Sequence, residues 1–171
     1  MSNSSFLKFG DMICLYSDSS KGYLSTIGSN HPNFIVQITD GLSMSTIPNQ
    51  RSMVFQIHPK LTYNVTNGYN KILMKKHKLQ QLPDPDQDEI YRLQKELNVQ
   101  APRRQVEIHN NTNLINNSRG DPIMYGMNIQ LQHVQSGLYV VMSTKSAEQD
   151  KTCQKLELSD QPSASRVTFQ I

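Results

Sequence analysis

The densest run of chemistry-bearing side chains is basic: Lys71, Lys75, Lys76, His77 and Lys78 lie within eight positions. Such a cluster suits an acidic protein neighbour or the phosphoinositide headgroups of a membrane surface, and it equally describes a solvated helix face. An acidic run follows, Asp84, Asp86, Asp88 and Glu89. It lacks the sixth-position glycine and closing glutamate of an EF-hand loop, so helix capping explains it better than calcium. The five histidines, His31, His58, His77, His109 and His133, have no metal-ligand spacing, and His133, just past a strand pattern, is expected at a turn or on the surface. Gly-rich phosphate loops, a serine nucleophile elbow and a fixed carboxylate pair are all missing. No catalytic, cofactor or metal residue is therefore expected, and the chain does not read as an enzyme. Lys71, Lys75, Lys76 and Lys78 remain as a candidate partner-contact patch.

Composition narrows the classes further. A net charge of +3, from 17 basic and 14 acidic residues, is too balanced for a dedicated nucleic-acid binder. Cys14 and Cys153 are too few for a disulfide framework and sit in apolar alternation, where a reduced cysteine acts as a small hydrophobe. No apolar run approaches the roughly 20 residues of a membrane span, and the N-terminus lacks a signal peptide's apolar stretch, so a cytosolic chain is expected. On that expectation the sequons at Asn3, Asn64, Asn110 and Asn116 are chance products of an Asn-rich sequence, and Arg119-Gly120-Asp121 is a turn.

These residues must be positioned by elements, and the elements repeat. Gly10, Ile13, Leu15, Tyr23 and Leu24 match Gly126, Ile129, Leu131, Tyr139 and Val140 at a constant offset of 116. Val36 and Ile38 resemble Leu156 and Leu158 at an offset of 120, and Phe55-Gln56-Ile57 returns as Phe169-Gln170-Ile171 at 114. Inside each block the apolar period is two: Ile13 and Leu15 on one face, Ile129 and Leu131 on the matching one, with Asn128, Gln130 and Gln132 outward. Turn formers at 17–22, 28–33 and 41–49 cut the runs into four short strands per unit.

The spacer differs. Positions 67–80 place Tyr69, Ile72, Leu73 and Leu79 near one helical face. Pro83-Asp84-Pro85-Asp86 ends that helix and caps a second over 86–97, with Ile90, Leu93 and Leu97 along one side. An αα-hairpin is expected, followed by a flexible polar loop over 100–117.

The opening Phe6-Leu7-Lys8-Phe9-Gly10-Asp11-Met12-Ile13-Cys14-Leu15-Tyr16, with Gly22 to Gly28 behind it, resembles the start of the N-terminal suppressor domain of inositol trisphosphate receptors. The second block, Gly120 to Gly126, then Ile129 to His133 and Gly137 to Val140, resembles a segment shared with ryanodine receptors. The likeness covers nearly the whole chain. Ser165-Arg166-Val167-Thr168 stands where the family often has a Trp, which leaves open which of the two branches applies.

The resemblance implies a mainly β protein, a β-trefoil with two of its three four-strand units present and a helical hairpin arm inserted. The domain is expected over 1–171, with a first unit at 6–58, an arm and polar loop at 59–119 and a second unit at 120–171. It implies a regulatory module of a calcium-release channel on the cytosolic face of the endoplasmic reticulum or another calcium store. The module would contact the rest of the receptor chain and neighbouring subunits of a homotetramer. Inositol trisphosphate would be held by a core that follows, not by this segment. A continuation past Ile171 into a third unit, that core and transmembrane helices is expected. The alternative is a stand-alone trefoil of the MIR type, binding protein or sugar.

Overall fold

A computed structural model describes residues 6–27, 34–38, 51–148, 150–160 and 164–171. The turns expected at 28–33 and 41–49, His31 and the Asn3 sequon lie outside the described residues. The chain is mainly antiparallel β-sheet with two long helices between its halves. The first half contributes β1 (Met12–Ile13), β2 (Tyr16–Ser17), β3 (Gly22–Thr26), β4 (Phe34–Ile38) and β5 (Phe55–Pro59). Helices α1 (Asn64–Gln80) and α2 (Gln87–Ser118) follow. The second half supplies β6 (Asn128–His133), β7 (Tyr139–Ser146), β8 (Gln154–Ser159), a short α3 (Ala164–Val167) and β9 (Phe169–Gln170). One sheet runs β1-β5-β6-β7-β8 with β9 also on β6, and a second runs β2-β3-β4.

Backbone geometry at the start of the two halves coincides. Gly10 and Gly126 take φ of 90° and 88°, a region open to glycine at no steric cost. The Gly10 amide donates to Ile57 and the Gly126 amide to Ile171, at 2.8 and 2.7 Å. Gln56 Nε2 reaches the Gly10 carbonyl and Gln170 Nε2 the Gly126 carbonyl, each at 3.1 Å. Ile13 pairs with Phe55, and Ile129 with Phe169. In the next hairpin Tyr16 faces Tyr23 as Gln132 faces Tyr139. Further on the match slips. Leu24 faces Val36 but Val140 faces Leu158, so the paired positions differ by 122 rather than the expected 120. An even slip of two leaves a strand's alternation in phase.

The core gathers inward-facing residues of both halves: Phe55, Ile57, Ile129, Leu131, Val140 and Leu158, with Ile123 from the connection. Phe55 is wholly enclosed, because β5 is flanked by β1 on one side and β6 on the other. Gln130 and His133 depart from expectation, and both are wholly buried. Gln130 points away from the core, as alternation requires, but the arm covers that face: Gln130 Oε1 accepts from Tyr63 Oη at 2.7 Å and Nε2 donates to the Leu61 carbonyl at 3.4 Å. His133 lies against the Phe55 ring, 5.6 Å between centroids, and shares a 2.8 Å hydrogen bond between Nδ1 and Ser136 Oγ. Cys153 is another correction: it is exposed in a turn, its Sγ 3.6 Å from Asp150 Oδ2, whereas Cys14 is half-buried. The Arg119-Gly120 turn ends α2 and ties it to the first strand block, through Gly120 N to Phe9 O at 2.9 Å and Phe9 N to Asp121 O at 3.0 Å.

The expected loop over 100–117 is helix. α2 continues to Ser118 because its second half has a partner that periodicity of apolar residues does not reveal. Arg104, Glu107, Asn111 and Ile115 fall at three- and four-residue spacing, so one face carries them all toward α1 and the sheet. Pro102 interrupts the backbone ladder on the exposed side, where the freed Asn98 carbonyl can be met by water.

Candidate functional site

The arm is where the structure concentrates unusual polar contacts. α1 starts at Asn64 behind Tyr63, which offers no side-chain cap, so the first-turn amides need partners from elsewhere. Glu107 of α2 supplies them: Oε2 accepts from Val65 N at 2.7 Å and Oε1 from Thr66 N at 3.4 Å. One turn on, Asn111 clasps the residue before: Oδ1 accepts from Thr62 N at 3.1 Å, and Nδ2 donates to Thr62 O at 2.7 Å. A carboxylate at a helix N-terminus also meets the positive end of its dipole, here in a site where Glu107 keeps only 8% of its surface.

At the far end of the hairpin the basic cluster divides. Lys75 pairs with Glu89 of α2 at 2.6 Å, and Lys76 Nζ donates to Gln94 Oε1. These contacts, with those of Glu107 and Asn111, run in opposite chain directions along the two helices, so the hairpin is antiparallel. Lys71 and Lys78 are exposed on the same face of α1 as Lys75. The four lysines therefore do not form one free patch: two are spent holding the arm together and two face outward. Asp86 is the N-cap of α2, its Oδ1 accepting from Glu89 N at 3.0 Å. On the outer face of α2, Val99 and Val106 are 58% and 59% exposed on either side of Pro102.

Below the arm lies a buried polar chain. Gln56 Nε2 is committed to the Gly10 carbonyl, which turns Gln56 Oε1 toward His58 Nε2 at 3.2 Å. That Nε2 must donate, leaving Nδ1 to accept from Tyr139 Oη at 2.9 Å. Burial lowers the His58 pKa and raises that of the Tyr139 phenol to about 12. Burial likewise lowers that of His133, against smaller opposing contributions from the Ser52 and Arg51 backbone, and its Nε2 is enclosed without a hydrogen-bond partner among the described residues. Burial thus favours the neutral form of both imidazoles. Since the folded state resists a proton that the unfolded chain takes up near pH 6.5, stability is complete above that pH and falls as the solution is acidified below it. Denaturant midpoints from pH 7.5 to 5 should fall, and more gently in His58→Gln, which deletes one of the two groups. An unchanged slope in that variant would show that His58 does not contribute.

A sequence profile described as inositol 1,4,5-trisphosphate/ryanodine receptor matches residues 2–171. The chain belongs to that receptor family. It is 30% identical over 162 residues to the inositol 1,4,5-trisphosphate receptor itr-1 of Caenorhabditis elegans, covering 91% of this chain. The chain spans 5% of that relative's length. The family is one of receptors and not of enzymes. Among the described residues no helix of this receptor segment is long and apolar enough to cross a membrane. Sequence reasoning reached the arm's tip and its lysines but missed Glu107, Asn111 and His58. Glu107 and Asn111 could have been found from their four-residue spacing on a face shared with Ile108 and Ile115, a pattern of one helical side rather than of a loop.

Proposed function

We propose that this segment is a regulatory coupling module of a ligand-gated intracellular calcium-release channel, built as two units of a three-unit β-trefoil with a helical arm. Family membership supports the channel, and the duplicated glycine turns and strand pairs at a 116-residue offset support the trefoil. β1 and β9 each pair on one side among the described residues, which suits a third unit from the receptor chain lying between them. The observation that carries the coupling role is the arm itself: a hairpin clamped at its base by Glu107 and Asn111, with Lys71 exposed midway along α1 and Lys78 exposed near its tip. A clamped lever transmits a contact to the sheet; a loose one would absorb it.

The module works by contact with the ligand-binding core or a neighbouring subunit, on the cytosolic face of the calcium store, and adds a coupling free energy to gating. Exchanging Lys71→Glu and Lys78→Glu together in the full receptor, then measuring ligand-evoked calcium release, tests this. Coupling of ordinary size corresponds to a change of about 5–150-fold in the half-maximal ligand concentration. An unaltered dose–response curve in a normally assembled receptor would reject the arm as the coupling surface. Lys75→Glu is the poorer probe, because it also breaks the Glu89 pair within the arm.

A further inference from the structure

Leu93, Leu97 and Glu107 turn one side of α2 inward. The opposite side carries Tyr91, Lys95, Val99, Pro102 and Val106, at steps of four, four, three and four residues. Those steps stay close to the helical turn, so the five positions form one straight stripe along the axis, about 22 Å from end to end. Tyr91, Val99 and Val106 each keep more than half of their surface exposed. Lys95 Nζ lies over the Tyr91 ring, 4.6 Å from its centroid, so the alkyl stem of the lysine covers the step between them. Single exposed apolar residues are ordinary on a protein surface; a line of them along about four turns of one helix is not.

The setting of the stripe is basic. Arg92 and Arg103 lie three turns apart along one flank with Glu96 between them, and Lys95 stands within the stripe. All four are exposed, and none forms an ion pair among the described residues. Three cations thus face solvent against one carboxylate. Asp88 precedes the stripe, in the first turn, where the dipole of α2 favours it. A straight ridge one residue wide is the counterpart of another helix, whose side-chain rows leave a groove beside each ridge. A bilayer is met by a broader apolar face with bulky residues, and Tyr91 is the single aromatic of this stripe.

We infer that the outer face of α2 docks an acidic amphipathic helix of a partner protein. The partner's apolar residues, at three- and four-residue spacing, lie against Tyr91, Val99 and Val106, and its carboxylates meet Arg92, Lys95 and Arg103. Apolar burial along the ridge supplies the attraction, and the flanking cations select the acidic partner and set its direction. The face excludes Lys71 and Lys78 of α1, so this contact is separate from the coupling surface and either can fail without the other.

The probe is a synthetic peptide of about three heptads, with Leu at a, Ala at d and Glu at e and g, where the like charges keep it from pairing with itself. It is titrated into the full 171-residue chain and followed by amide chemical shifts. One control peptide carries Lys in place of Glu, a second spreads the leucines around the helix, and phosphatidylserine vesicles form a further arm. Saturable binding of the acidic peptide with Kd of about 10–100 μM is expected, with the largest shifts around Val99 and Val106. Both control peptides should bind about tenfold more weakly or worse. Val99→Gln with Val106→Gln should weaken the acidic peptide about tenfold, as should Arg92→Gln with Arg103→Gln; all four positions are exposed, so the fold is kept. Failure of the acidic peptide to saturate by about 1 mM overturns the proposal, as does equal affinity for the lysine peptide. So does undiminished binding in the double valine variant. Vesicle binding that needs the same two valines, without peptide binding, would give the face to a membrane and overturn the proposal as well.

Discussion

Phe55→Ala is expected to lower the unfolding free energy by about 3–5 kcal/mol, the usual cost of emptying an enclosed phenylalanine site. The ring has no exposed surface and touches Phe34 and His133, with centroids 6.0 and 5.6 Å away. It sits between strands paired on both sides, so neighbours cannot easily collapse into the space. The same change at Phe169, its counterpart in the second block, should cost about half as much or less, because a half-buried ring loses less transfer energy and leaves less of a cavity. Denaturant titration of the two variants measures the difference. Equal losses would mean that β9 is as enclosed as β5, contrary to its single pairing partner.

Glu107→Ala carries the other large effect, a loss of about 2–3 kcal/mol, since hydrogen bonds to a charged group are among the stronger ones and two half-buried amides are left unmet. Val65 N would lose its acceptor at 2.7 Å, and the start of α1 would lose the negative charge facing its dipole. Glu107→Gln keeps one acceptor and should recover part of the loss. Asn111→Ala loosens the same turn through Thr62, so the double variant should fall short of the sum of the singles. Hydrogen exchange at Val65 and Thr66 gives the local reading and denaturation the global one. Unchanged exchange at those two amides in Glu107→Ala would show that the cap is idle. In the receptor the same substitution should uncouple the arm without touching its tip, which separates a lever that is loose from one whose contact surface is lost.

The features legible from residue order alone are local. Period-two alternation gave the strands around Ile13 and Ile129, because a strand's side chains alternate whatever covers them. Gly10 and Gly126 marked the repeated turn, since both take the left-handed backbone that glycine alone enters freely. Asp86 capped α2 from within its own turn, and Leu93 and Leu97 faced inward at helical spacing, as the pattern required. Each of these depends on neighbours within a few positions.

The destinations of the polar residues followed from the folded arrangement. Gln130 alternates outward as its strand dictates, yet it is buried because Tyr63 and Leu61, some seventy positions earlier, cover that face. Glu107 and Asn111 look solvated in a polar stretch, yet they hold α1 because an uncapped helix start lies opposite them. Lys75 and Lys76 looked like part of a docking patch until Glu89 and Gln94 met them across the hairpin. The physical reason is common to all of them. Apolar side chains are buried wherever they gather, which periodicity can show, but a polar group is buried only with a partner, and the partner here comes from a distant segment.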